Sequence, residues 1–461
     1  MASTRKAHVA ERSVSALAAV VEREVRPHIA AGDTLTIGLS GGVDSIVLLD
    51  VMRRIERSIG IRVAALHVNH GLSANADAWE AFCRAHCARR RIPFDAVRVT
   101  VGGGGANIEE EARIARYRVL ERQGGTIVLL AHNRDDQAET VLLRLLRGAG
   151  VHGLSAMRPV RRMRDDRFQN GLERQILLRP LLSVGRGDIE RYARSRRLRW
   201  IEDESNADCR YARNFLRNEI LPMLAQRFPA CQANLARAAT HLAEADALLR
   251  EIASEDLRQA TVDAGIDMVK LAALGRLRAA QALRLALEAR GEPSISTETT
   301  SEVLRQLLGA RSDRSPSIEL MRTVVRRYRG CVVIDARSGP VAAWSRIEWE
   351  GGALQTLPDG SVLVARGTRG CGVSVARLAS DQVTLRRRVG GESMRLRADG
   401  PRRTLKNLLQ EHAVPPWQRE VMPLVFCGEQ LVWVPTVGVA SGFVAHAGEL
   451  GWEFTWRPHA T

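Results

Sequence analysis

Six consecutive residues, Ser40-Gly41-Gly42-Val43-Asp44-Ser45, have the types and spacing needed to hold a phosphate. They follow an apolar run, Leu35 to Leu39, and precede an amphipathic stretch that begins near Val43. That pattern predicts a buried strand, a tight turn and a helix. Glycines at 41 and 42 let the main chain come close to a ligand. The free N–H groups and positive dipole end of the helix then point at whatever sits in the turn. The loop contains no lysine, which separates it from the GxxxxGK[ST] phosphate loop. It carries Asp44 instead, a carboxylate where an anion should bind, and a divalent cation such as Mg²⁺ between the two resolves that repulsion. The competing reading is an ordinary turn whose Asp and Ser cap a helix.

A second group of acids lies in His132-Asn133-Arg134-Asp135-Asp136-Gln137-Ala138-Glu139. Asp136 and Glu139 stand three apart, so on a helix they share one face. Two carboxylates held that way suit Mg²⁺ or a substrate amine. Both Asp135 and Asp136 fall in a first helical turn, where a capping role competes for one of them. His67 and His70 fit metal spacing loosely, and the preferred reading is a strand-end pair satisfied by backbone. Cys83 and Cys87 are four apart and no CxxC occurs, so a small-residue helix face accounts for them better than sulfur chemistry.

The elements that must position these groups alternate. Strands are expected at 35–39, 61–70, 94–100 and 126–131, with helices from Val43, over 75–90, around 108–117 and over 135–146. Alternating strands and long helices imply a parallel sheet covered on both faces. In such sheets ligands bind beyond the carboxyl ends of the strands, where every cluster named above falls. Later helices are read at 232–258, 268–290 and 299–308, the last with Thr299 and Glu302 as a capping box. Strands follow over 318–334, residues 337–375 read as a Gly-rich, strand-like join, and a compact β-plus-helix unit ends the chain.

The formal net charge of +16 points to a polyanionic partner, nucleic acid before others. Seven scattered cysteines in 461 residues argue for a reducing compartment rather than a disulfide framework. No apolar run is long enough for a membrane span, so no membrane partner is expected and a cytoplasmic setting is. An amphipathic lead-in helix is read in the first 30 residues.

Ser40 to Ser45 resembles the PP-loop of the ATP pyrophosphatase superfamily, whose members cleave ATP between the α- and β-phosphates and adenylate a substrate oxygen. The longer string from Ala131 to Gly150 resembles the tRNA(Ile)-lysidine synthases, with their AHHxDDQAETxLLRLLRGAG pattern. So do His67 to Leu72, the set Asn107, Glu109 and Arg113, and the segments Glu202–Asp208 and Tyr211–Arg217. Asn133 stands where a second His is common, and Ser73 where that family's pattern places Arg. Neither departure is expected to touch the loop.

The resemblance implies an α/β chain with a Rossmann-like PP-loop domain on a parallel sheet, over 1–225. A mainly helical, tRNA-binding middle domain follows over 226–375, and a small α+β C-terminal tRNA-binding domain over 376–461. It implies that Mg-ATP adenylates O2 of the wobble cytidine in the CAU anticodon of tRNA(Ile). The amine of free L-lysine then displaces AMP from carbon-2, which switches codon reading from AUG to AUA. By the same resemblance Ser40, Gly41, Gly42, Val43 and Ser45 hold phosphate, and Asp44 with Asp136 holds Mg²⁺. Arg113 stabilises charge on the α-phosphate, and Asp136 and Glu139 serve the metal, the lysine amine or both. His132, Arg213, Arg217, Arg387 and Trp417 are assigned to substrate and RNA. A homodimer is left open. Two other readings stand at this point: another PP-loop enzyme (a tRNA thiolase or an amide-forming ligase) and an inactive RNA-binding protein.

Overall fold

The computed structural model describes residues 15–100, 108–164, 174–263, 265–293, 295–311, 316–337 and 344–458. The glycine run 102–105, Asn107 and the side chain of Glu109 lie outside the described residues. Contacts divide the chain into two units, Met1–Leu248 and Leu249–Thr461, and the helix Cys231–Ala260 runs through the division.

In the first unit the strands are β1 (Thr34–Gly38), β2 (Arg62–Asn69), β3 (Phe94–Arg98), β4 (Ile127–Leu129), β5 (Val160–Arg164) and β6 (Arg174–Leu178). They form one sheet in the order β3-β2-β1-β4-β6-β5. All pairings are parallel except β5 with β6, an antiparallel edge. The helices that matter for the site are α1 (Val43–Ile59), α2 (Ala76–Arg89), α3 (Ile108–Gln123), α4 (Arg134–Leu146) and α5 (Arg186–Ser195).

Side-chain alternation gives this sheet two apolar faces. Leu35, Ile37 and Leu39 pack with Ile46, Leu48 and Met52 of α1 on one side. Leu66, Val128 and Leu177 pack with Val119 and Leu120 of α3 on the other. The expected lead-in helix is present over 15–25, with Leu17, Val21 and Val25 buried at four-residue spacing in the first core. Tyr192 of α5 is fully buried, and its hydroxyl donates to Asp50 of α1 at 2.8 Å. That bond fixes the back of the helix whose front end carries the loop.

Strand order reverses between β1 and β4. The chain leaves β1 toward β2 and β3 on one side and returns to β4 on the other. The connections after β1 and β4 therefore diverge, and the crevice between them is where an open α/β sheet binds its ligand.

Cys83 and Cys87 are wholly buried in the α1-side core, and burial pushes their thiols up to about 12 and about 11. Thiolate is the reactive form, so these thiols are inert. In the native protein a thiol reagent should label the exposed Cys209 and Cys371 and leave Cys83 and Cys87 unmodified, read by peptide mass mapping. Labelling of Cys83 or Cys87 without unfolding would revive a sulfur-carrying role.

The second unit holds two kinds of packing. Helices Met268–Ala273, Gly275–Ala289 and Thr297–Gly309 lie on an antiparallel five-stranded sheet that includes Thr323–Tyr328 and Cys331–Ala336. The helix expected over 268–290 is broken at Gly275, whose φ of +74° a β-carbon disfavours. The helix expected from Thr299 starts at Thr297 and is capped by Ser296, whose Oγ accepts from the Thr299 N–H at 3.1 Å. Glu302 pairs with Arg305 instead of reaching back to Thr299.

The segment read as a join is built into the C-terminal sheets. Val362–Arg369 pairs along its whole length with Leu450–Arg457, and Arg346–Glu348 pairs with residues of Val383–Arg386. Partners roughly forty and ninety residues away leave no mark in a local pattern.

Candidate active site

The loop after β1 closes on itself through Ser45. Its hydroxyl accepts from the Gly41 N–H at 3.2 Å, donates to the Gly42 carbonyl at 3.0 Å and lies 3.2 Å from Ser40 Oγ. Gly41 takes φ +89°, and a β-carbon there would sit 2.7 Å from Ile201 Cδ1 and 3.1 Å from Cys83 Sγ. Ile201 also donates its N–H to the Gly41 carbonyl at 3.0 Å, so residues just before the EDESN segment brace the loop from behind. Gly42 is the N-cap of α1 and no side chain satisfies that cap, which leaves the helix N-terminus free for an anion.

Asn133 organises the other side of the crevice. It is the N-cap of α4, accepting from the N–H groups of Asp135 and Asp136, while Asp136 accepts from the Asn133 N–H at 3.0 Å. This is a reciprocal capping box. Its remaining Nδ2 donates to Asp44 Oδ1 at 2.9 Å. Asn133 therefore does touch the loop, contrary to expectation, and links Asp44 to Asp136. An Asn three residues before an Asp at a helix start is a visible capping signal, but nothing local shows its reach to Asp44. Asp135 turns away and accepts from the Arg186 N–H at the start of α5, at 2.9 Å. Of the two aspartates it is the structural one. Ser73, the other departure, accepts from the Asn75 N–H just before α2.

Asp136 and Glu139 share a face, as their spacing demands, and that face is occupied. Glu139, 2% exposed, accepts from Arg213 Nε at 2.8 Å, Arg217 Nε at 2.5 Å and Arg217 Nη2 at 2.9 Å. Asp136 Oδ1 accepts from Arg213 and Arg217 Nη2 at 3.2 and 3.1 Å. The sequence leaves Glu139 open to a metal or an amine; in the structure guanidiniums take both its oxygens, whereas among the described residues Asp136 Oδ2 meets only the Asn133 N–H. Arg213 and Arg217, four apart, come from a helical run that contains a π turn, Leu216–Ile220, ahead of Pro222. That turn places Leu216 and Leu221, five apart, both in the core while the arginines face the acids.

Asp44 is half-buried, and its carboxyl is pushed up to about 6 by burial and by Asp136, against the pull of the Asn133 hydrogen bond and of Arg186 and Arg217. A cation between Asp44 and Asp136 would relieve that cost. Among the described residues no three His, Cys, Asp or Glu side chains form a metal cage. Mg²⁺ needs none, since it keeps waters and is held by one or two carboxylates plus substrate phosphates. The donor set fits it.

Of the pair expected to be satisfied by backbone, only His67 is: its Nδ1 lies 2.8 Å from the Leu39 carbonyl, and burial lowers its pKa, whereas His70 accepts from Arg116 Nε at 3.4 Å. Arg113 reaches from α3, its guanidinium 5.4 Å from the Tyr117 ring. His132 accepts from Arg179 at Nδ1. Arg387 and Trp417 belong to the second unit and are engaged there. Arg387 pairs with Asp359 and lies 4.4 Å from the Trp344 ring. The Trp417 ring meets Tyr328 edge-on at 5.5 Å and Arg326 at 4.8 Å. Trp433 is core.

Comparison with known proteins finds three family matches along the chain. The PP-loop domain family matches residues 11–224, the TilS substrate binding domain 267–333, and the TilS substrate C-terminal domain 383–456. The tRNA(Ile)-lysidine synthase of Ralstonia nicotianae is 42% identical over 98% of this chain and 96% of its own length. That of Nitrosomonas europaea is 38% identical over 94% of each chain. That of Burkholderia pseudomallei is 40% identical over 92% of this chain and 93% of its own.

Proposed function

The chain belongs to the tRNA(Ile)-lysidine synthases, and on that footing we propose how its residues divide the work. It is an ATP-dependent ligase of the PP-loop type that makes lysidine at the wobble position of tRNA(Ile). Cytosine O2 is a poor leaving group. Attack of O2 on the α-phosphorus expels pyrophosphate and turns that oxygen into a phosphate ester. The neutral amine of free lysine then attacks carbon-2, the C–O bond breaks with AMP taking the oxygen, and the amine loses a proton.

Ser40, Gly41, Gly42, Val43 and Ser45 cradle the phosphates at the α1 N-terminus. Asp44 and Asp136 hold Mg²⁺, which when bound offsets charge on the phosphates. Arg113 meets charge on the α-phosphate. Glu139 acts through Arg213 and Arg217, holding both guanidiniums at the edge of the site for the substrates, and His132 lines the same edge. Arg387 and Trp417 are assigned to the RNA-binding surface of the second unit. Free lysine, the CAU anticodon and a cytoplasmic setting are part of the same proposal; no helix among the described residues is long and apolar enough to cross a membrane.

The observation that carries this reading is the chain of hydrogen bonds from Asp44 through Asn133 to Asp136 beside an uncapped, Gly-rich helix start. Asp136→Asn keeps an oxygen for the Asn133 N–H, so the cap survives. Lysidine formation should fall at least about 100-fold, while tRNA affinity in a filter-binding assay stays within about twofold. Loss of both together would make Asp136 a structural residue.

A further inference from the structure

We propose that Arg179 is a positioning residue for the ligation, acting through His132. It holds the His132 ring in the tautomer that carries its proton on Nε2, which presents a neutral N–H to a substrate oxygen on which negative charge builds. The inference rests on the proposed function and gives His132 a chemical role within it.

The contact follows from the sheet. β4 and β6 pair in parallel with Leu129 opposite Leu178, and the Leu130 N–H donates to the Leu178 carbonyl at 2.9 Å. The two chains leave the sheet side by side, which brings Arg179 to His132. His132 directly precedes Asn133, the cap of α4 whose amide reaches Asp44, so it lies at the strand end that borders the crevice.

Arg179 is 5% exposed, and its guanidinium serves three acceptors. Nη1 donates to the Arg158 carbonyl at 2.8 Å, Nη2 to Tyr117 Oη at 3.1 Å and Nε to His132 Nδ1 at 3.3 Å. Among the described residues no carboxylate meets it. A buried cation without an acid is costly, and stitching β6 to its neighbours needs only neutral donors. What the cation adds lies at His132. Arginine has five N–H groups, no acceptor, and does not give up its proton. Its bond to Nδ1 therefore has one reading: Nδ1 carries the lone pair and Nε2 the hydrogen. A carbonyl at Nδ1 selects the opposite tautomer, as the Leu39 carbonyl does at His67.

The same cation opposes protonation of the ring. His132 is held well below its usual pKa by burial first, then by Arg179, with Arg213, Arg116 and Arg113 adding to the effect. The residue is half-buried, and among the described residues no acceptor meets Nε2. A neutral imidazole N–H polarises an oxygen that gains charge in the transition state. Pyrophosphate leaves in the first step and AMP in the second, and both carry such an oxygen.

The test uses the full chain labelled with nitrogen isotope in histidine, the His132 signals being identified by their absence in His132→Gln. The nitrogen–proton correlation spectrum of wild type should show a neutral ring protonated on Nε2. A proton on Nδ1, or a charged ring at neutral pH, overturns the proposal without any change at Arg179. A double-mutant cycle reads the effect on turnover. Arg179→Met should lower kcat for lysidine about tenfold with KM for ATP and for tRNA within about twofold. Arg179→Lys, again a donor only, should recover part of kcat together with the Nε2–H signal. In a His132→Phe background Arg179→Met should cost less than about twofold. An unchanged kcat in Arg179→Met, or equal losses in both backgrounds, means that Arg179 does not act through His132. Pyrophosphate release that falls with lysidine assigns the N–H to adenylation; lysidine falling alone assigns it to departure of AMP. Failure of wild type to make lysidine would overturn the proposed function and leave the tautomer standing.

Discussion

Asp44→Asn should abolish nucleotide chemistry and yet stabilise the metal-free fold above pH 7. The loss should reach on the order of 1000-fold in kcat/KM, because in the proposed site Asp44 is the residue that brings phosphate and cation together. The gain follows from the same crowding. Burial and Asp136 hold the Asp44 carboxyl at about 6 in the fold, against 3.8 for an ordinary aspartate. Below 3.8 both folded and unfolded chains carry the proton and there is no penalty. Between the two values the unfolded chain ionises first, so stability falls as pH rises. Above 6 the penalty is complete, on the order of 2–3 kcal/mol. Asparagine has no charge to bury and still accepts from Asn133. In EDTA the variant should melt a few degrees above wild type at pH 8, and the gap should close as pH approaches 4. A variant that melts lower at pH 8 would mean that the carboxylate holds the loop together.

Arg217→Ala should be the most destabilising single change near the site. Arg217 supplies two of the three hydrogen bonds to Glu139, a carboxylate only 2% exposed. Removing one partner of a buried charge costs up to about 3–5 kcal/mol; Arg213 still donates to Glu139, so a loss of about 2–3 kcal/mol is expected. Urea unfolding followed by circular dichroism reads this as an early loss of helix signal. Adding Glu139→Gln to Arg217→Ala should recover at least about 1 kcal/mol, since the buried charge that has lost one of its two arginines disappears. It should restore no lysidine. Independent, additive effects of the two substitutions would show that they are not a coupled pair.

The first sheet was readable because its signals are local. The apolar residues Leu35, Ile37 and Leu39 at every second position, the Gly41-Gly42 turn and the acids of α4 each depend on neighbours within a few residues. Even the parallel topology follows from strands alternating with helices. What could not be read is what residues far apart do together. Asp136 and Glu139 look like an open carboxylate pair until Arg213 and Arg217, more than seventy positions later, fold onto them. Asn133 looks like a missing histidine until its amide reaches Asp44. The strands at 346–369 look like a linker because their pairing partners lie at 383–386 and 450–457. Ser296 is hard to see as a cap for the opposite reason: Thr299 and Glu302 offer the same signal three residues later, and only the backbone decides between them.

Mass spectrometry of the wobble nucleoside tests the central claim most directly. The full chain is incubated with ATP, Mg²⁺, isotopically labelled lysine and a tRNA(Ile) transcript bearing the CAU anticodon, and the RNA is then digested. The expected result is a wobble cytidine carrying the label, with the mass of cytidine plus lysine less one water, and one AMP and one pyrophosphate released per nucleoside. An unlabelled or sulfur-containing nucleoside, or ATP cleaved to ADP, would contradict it.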